Sequence, residues 1–366
     1  MMEKRRVDYL DMVKGIGIIL VVAGHSQYLA KNALTVIYSF HMPLFFIVSG
    51  MVSCYIGEER RSMKQILKKK LCSLMIPYAV FSLIYLAIYG GYFCHVAGYL
   101  TSEAIKEYAV QVVSLDGMSV LWFLSALFFA ELLFLGVRKI YGKRVTYLIM
   151  AILTIVACLL KSQVLGMLPT QTLWQKGITG FVSALLRGVI GAGFLALGYV
   201  TMELFSWLDE KWYREKTTDQ RKRRMQKAAE FLLGILCLGL TVLLSLYNGN
   251  VELRSMTFGS LPIYFLCAYT GTLSLILICR SLPRQRWLVY LGTNSLIIMV
   301  THLDCQFMLA AIRIGQFFVA ISPYAKWYCL YFGIALGMTV LELAAIYAIN
   351  HFAPFLIGKP YPKKHS

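Results

Sequence analysis

Lys14 and His25 are the residues of this chain whose types and spacing most suggest chemistry. Eleven residues of α-helix turn through roughly 1100°, about 20° past three full turns, and rise about 16 Å. An ammonium and an imidazole so spaced share one helix face at two depths. Asp11 lies one turn before Lys14 on nearly the same face. Acyl transfer to a hydroxyl needs a base for the hydroxyl proton, and imidazole titrates near neutrality. It also needs a donor to the oxyanion of the tetrahedral intermediate, for which an arginine, a second histidine or an amide such as Asn294 is suited. A cation at the far end of the face suits the phosphates of an acyl donor arriving from that side. His25 then acts as general base or is itself transiently acylated.

Such a face needs a helix in a defined environment, and the composition says which. Apolar residues make up 58% of the 366-residue chain and charged residues 15%, against about a quarter charged in a soluble domain. Apolar runs long enough to cross a bilayer recur along the whole sequence. They predict an all-α polytopic protein of about ten transmembrane helices, over residues 10–30, 34–56, 71–94, 119–137, 145–161, 178–204, 228–246, 260–279, 288–312 and 327–354. The expected organisation is one transmembrane domain over 1–366, with a short helix or re-entrant piece in the outer loop 95–118.

The formal net charge of +18 is distributed in short clusters between apolar runs, which argues for the positive-inside rule and against nucleic acid. With Lys4, Arg5 and Arg6 placed in the cytoplasm, the alternate segments that follow inside carry most of the 36 lysines and arginines. Both termini are therefore expected in the cytoplasm, and the plasma membrane, a bacterial inner membrane, is the expected location. The polar stretch 209–227 reads as a solvated cytoplasmic linker. The nine cysteines include no CxxC pair and read as small buried apolar residues. The first apolar run has no A-x-A cleavage site and is expected to be retained.

Ionisable residues inside spans usually mark function. Besides Lys14 and His25 they are His41, Glu131, Arg187, His302, Asp304 and Glu342. The short connection between the first two spans makes them antiparallel neighbours, with His25 and His41 at similar depth, about 8 and 10 Å from the outer ends. His302 lies a little nearer the midplane. The setting Phe40-His41-Met42-Pro43 also suits a kinked turn in which His41 braces the backbone. Arg187 and Glu342 read as partners of other polar groups. No HxxxH spacing is present, and no metal is expected.

These residues carry a family resemblance. Tyr9-Leu10-Asp11-Met12-Val13-Lys14, followed by Ala23-Gly24-His25-Ser26, resembles the first helix of the membrane-bound acyltransferase 3 family. Phe40-His41-Met42-Pro43-Leu44-Phe45-Phe46 is similar to its second-helix signature. The basic stretch ending at Lys70 before Ile76-Pro77-Tyr78, Leu121-Trp122-Phe123-Leu124, and Gly292-Thr293-Asn294-Ser295-Leu296 leading to His302 look like its later signatures. The resemblance implies a ten-helix acyltransferase core with acetyl-CoA or a related acyl-CoA as donor substrate, no permanently bound cofactor, and a carbohydrate acceptor. Within the family the chain looks like the sugar O-acetyltransferase branch and resembles a fucose O-acetylase. His25 matches the catalytic histidine, and Lys14 the basic residue of the same site. His302, Asn294, His41 and Asp11 are candidates for orienting acceptor or intermediate. Many relatives carry Arg-x-x-Arg at the third helix; here Lys70 and Ser73 stand near those positions, and Lys68, Lys69 and Lys70 are expected to meet the donor phosphates. The alternative is a transporter or flippase of a small polar solute or lipid-linked sugar. Transporters often show two similar halves, and this sequence shows none.

Overall fold

The computed structural model describes residues 7–25, 30–96, 102–214, 220–303, 305, 307–321 and 326–359. The expected cytoplasmic charges Lys4, Arg5, Arg6, Lys216, Lys363 and Lys364, together with Ser26 and Asp304, lie outside them. The protein is an all-α polytopic membrane protein. Among the described residues six helical stretches are long and apolar enough to cross a membrane: Lys31–Ile56, Met63–Gly91, Ser119–Gly166, Leu173–Lys211, Gln220–Asn248 and Leu261–Ser281.

The helices are α1 (Asp8–His25), α2 (Lys31–Ile56), α3 (Met63–Lys70), α4 (Ile76–Val96), α5 (Ser102–Val113), α6 (Trp122–Gly166) and α7 (Leu173–Arg214), then α8 (Gln220–Asn248), α9 (Leu261–Ser281), α10 (Arg286–Thr293), α11 (Ser295–Thr301), α12 (Phe307–Ile321) and α13 (Lys326–Phe352). The expected short helix of the outer loop is α5. The fourth and fifth expected spans lie along α6, which is broken at Gly142, where φ is 71° and ψ −171°. Arg138 and Lys143 flank that break and both hold Glu203, at 3.5 and 2.5 Å. α7 and α8 run well past their expected ends into the stretch expected to be a linker. Lys, Arg and Glu are good helix formers, so the helix outlasts the apolar window.

The ninth expected span, 288–312, is not one helix. Asn294, at φ −111° and ψ 12°, separates α10 from α11, and residues 302 and 303 form a turn. Gly292-Thr293-Asn294-Ser295 is a run of weak helix formers whose side chains compete for backbone hydrogen bonds, while the apolar Ile297–Val300 keeps the hydropathy high.

The chain groups into two compact units. Unit 1 comprises Met1–Lys68, Ala126–Met167 and Leu185–Thr293; unit 2 comprises Lys69–Ser125, Leu168–Ala184 and Asn294–Ser366. In unit 1, α1 packs against α2, α9 and α10. A Cβ on Gly15 would collide with the Leu288 carbonyl, and one on Gly292 with the Asp11 carbonyl. The backbones of α1 and α10 therefore touch, the close approach that small residues allow between membrane helices. Arg284 meets Asp8 at 3.3 Å at the same end. In unit 2, α11 packs on α13, and the buried Tyr85 of α4 donates its hydroxyl to the Val300 carbonyl at 2.7 Å.

Candidate active site

The described part of α1, Asp8–His25, is a single helix that carries both Lys14 and His25. Each is partly exposed, while the helix buries Leu10, Asp11, Met12, Val13, Gly15, Gly17, Ile18, Val21 and Gly24. Lys14 Nζ lies 2.6 Å from Asp11 Oδ1, with the lysine side chain 25% exposed and the carboxylate 6%. The expected one-turn pairing is present. The buried acid holds the ammonium and leaves part of it facing outward, which fixes a cation at one end of the helix face.

The C-terminal part of α1 and the N-terminal part of α2 meet as antiparallel neighbours should. Tyr38 of α2 donates its hydroxyl to the Gly24 carbonyl at 3.3 Å, and its ring stands 4.9 Å from that of His41. Tyr38 was not singled out from the sequence, although it sits three residues before His41 and so shares its face of α2.

His41 is buried, and its Nδ1 lies 2.8 Å from the Ile37 carbonyl. A carbonyl only accepts, so Nδ1 carries the proton and, in the neutral ring, Nε2 is an acceptor. The backbone-bracing role suggested by Phe40-His41-Met42-Pro43 is the one observed; Pro43 lies inside α2 and removes one helical N–H. His302 repeats the arrangement in unit 2: it is fully buried, with Nδ1 2.9 Å from the Ile298 carbonyl. In the neutral ring each of the two histidines presents an acceptor at Nε2.

Beside His302, Thr301 donates to Glu342 Oε2 at 2.8 Å, so Glu342 pairs with a polar neighbour, as expected. Asn294 accepts from Asn350 Nδ2 at 2.8 Å, and Asn350 Oδ1 accepts from Lys359 at 3.2 Å. Glu131, unassigned from sequence, accepts from Ser49 at 2.7 Å in unit 1. Lys68, Lys69 and Lys70 do not converge: Lys68 is exposed, Lys69 half-buried and Lys70 buried, because consecutive helical residues point about 100° apart. A π-helical turn, Leu71–Met75, follows them and contains Ser73. Such turns are frequent at functional sites. The carbonyl of Cys72 in that turn is pressed against Gly358, which has φ +67°.

The apolar helices define a multi-pass membrane protein, and α1 carries an ammonium–carboxylate pair and an imidazole within one helix. A model of the acyltransferase domain family matches residues 7–349, and the chain belongs to that family, the membrane-bound acyltransferases that its first two helices resemble. No curated protein and no solved structure matches it. The protein is thus a membrane acyltransferase, and the fold offers nothing in favour of the transporter alternative.

Proposed function

We propose that this acyltransferase moves an acyl group, acetyl in the first instance, from coenzyme A at the cytoplasmic face to a sugar hydroxyl of the cell envelope, in the bacterial inner membrane. The observation that carries the reading is α1: within a chain of this family, one unbroken helix bears the Lys14–Asp11 pair and, three turns on, the partly exposed imidazole of His25. Lys14 meets donor phosphate at the cytoplasmic end. The acyl arm then lies along the helix face toward His25.

His25 takes the proton of the acceptor hydroxyl as its oxygen attacks the thioester carbonyl. The C–O bond forms, and the tetrahedral oxyanion collapses with loss of the C–S bond. The departing thiolate takes the proton from the imidazolium and leaves as free coenzyme A thiol, so the cycle needs no other proton source. His41, beside His25 in unit 1, orients the surroundings as a hydrogen-bonding support.

The test is His25→Ala, assayed by mass spectrometry of envelope glycans at matched protein levels. A general base contributes about 10²–10⁴-fold, so O-acetylation should fall at least about 100-fold with the melting temperature unchanged. Undiminished O-acetylation in that variant removes His25 from the mechanism. Comparing glycans from cells with and without the protein identifies the acceptor.

A further inference from the structure

His25 is the last residue of α1 that the structure describes, and the direction of its side chain follows the backbone of the turn that carries it. A contact that holds this turn from outside the helix therefore aims the base, and unit 1 contains one. The Tyr38 hydroxyl donates to the carbonyl of Gly24, the residue directly before His25. The Tyr38 ring lies so close over Gly24 that a Cβ there would stand 3.3 Å from Tyr38 Cε2 and 3.6 Å from Ile37 Cγ2. Glycine is thus the residue that lets the ring reach the helix.

The support behind Tyr38 is itself fixed. Its ring stands 4.9 Å from that of His41, tilted by 59°, and His41 is buried and bonded through Nδ1 to the Ile37 carbonyl of its own helix. One turn toward the outer end of α2, Thr35 donates to Asn250 Oδ1 at 3.1 Å. Asn250 belongs to the connection from α8 to α9, where Glu252 and Thr257 pair as a small antiparallel bridge. Asn248 ties the base of that connection, donating to the Phe258 carbonyl at 3.0 Å and accepting from the Ser260 N–H at 2.8 Å. The outer turn of α2 is therefore held from both sides, and Tyr38 transmits that rigidity to the turn of α1 that contains Gly24.

We propose that Tyr38 is a positioning residue for acyl transfer, fixing the turn of α1 that contains Gly24 and with it the direction of the His25 imidazole. The inference rests on the reading of His25 as the base. Misplacing a reacting group by about 1 Å costs on the order of 100-fold in rate, and losing one supporting hydrogen bond costs less than that.

Two substitutions probe the brace in purified protein, with acetyl-CoA as donor and thiol release as the readout, alongside His25→Ala. Tyr38→Phe keeps the ring and removes the hydrogen bond. Gly24→Ala keeps the hydroxyl and pushes the ring away. In each, kcat is expected to fall about tenfold, with the donor KM within about twofold of the parent and an unchanged melting temperature. Tyr38→Phe and Gly24→Ala with parental kcat beside an inactive His25→Ala overturn the brace and leave the base standing. A raised donor KM with parental kcat also overturns it, because that pattern belongs to donor binding. If Tyr38→Phe does not fold, Gly24→Ala decides alone on the same criteria. Full activity in His25→Ala overturns the base assignment instead.

Discussion

His25 in unit 1 and His302 in unit 2 are both imidazoles of one membrane protein, yet the fold treats them in opposite ways. His302 is fully buried, and its Nδ1–H is spent on the Ile298 carbonyl one turn back. The residue before it, Thr301, is tied to Glu342 at 2.8 Å, and the helix stops there. His25 lies on an unbroken helix, is partly exposed, and follows Gly24, whose carbonyl accepts from the Tyr38 hydroxyl. A buried imidazole fastened to its own helix is locked in one tautomer and holds structure together. A partly exposed imidazole on a braced helix turn can exchange a proton and meet a substrate. Residue type alone does not separate two such histidines; the exposure does.

The largest effect that bears on this contrast comes from the seat of α1. A side chain at Gly292 would collide with the Asp11 carbonyl and stand 2.9 Å from the Gly15 nitrogen. Both contacts are to backbone, which cannot rotate away. Gly292→Val should therefore destabilise unit 1 by about 3 kcal/mol or more, at the upper end for overpacking, and take Lys14 and His25 out of register together. A methyl group on Gly136 would meet no atom within 4 Å, so Gly136→Ala in the same run of melting measurements should be neutral or stabilising by up to about 1 kcal/mol. Equal melting temperatures for the two variants would mean that α1 does not depend on α10.

A smaller effect sets the two histidines directly against each other. His302→Ala removes a buried ring and one hydrogen bond, and should cost about 2–4 kcal/mol of stability. Per folded molecule its turnover should fall less than about tenfold. His25→Ala should do the reverse, sparing stability and removing turnover. Thermal melting and specific activity measured on both proteins read out the crossed pattern. Parallel losses in the two variants would erase the distinction.

Much of this was legible in the sequence, for identifiable reasons. Lys14, Asp11 and His25 lie within one helix, where spacing alone fixes which side chains share a face. The broken stretch between Arg286 and Ile321 was not legible, because hydropathy measures affinity for lipid and is blind to a backbone break at Asn294. Likewise α7 and α8 outrun their apolar windows, since hydrogen bonding along a helix does not end where lipid does. The Tyr38 contact depends on the register between α1 and α2, which no spacing within one helix encodes. The signal that was available is Gly24 itself: a glycine one residue before a candidate base, inside a helix, suggests that something packs closely there.

The smallest effect concerns the lysines that precede the π-helical turn. As three consecutive helical residues they point about 100° apart, so they cannot all close on one phosphate. Lys68 is exposed and Lys70 is 6% exposed. A solvated lysine holds an anion weakly, whereas a charge with little water around it interacts more strongly. Lys68→Ala should therefore change the donor KM less than about twofold, and Lys70→Ala should raise it about tenfold, with kcat held within a factor of about two in both. The comparison carries its own control in salt. Exposed charges are screened with a Debye length near 8 Å at physiological ionic strength, so a diffuse basic patch would make Lys68 and Lys70 equivalent and the KM steeply salt-dependent. A graded response that follows burial, with Lys70 far ahead of Lys68, identifies a defined donor contact at the turn into α4.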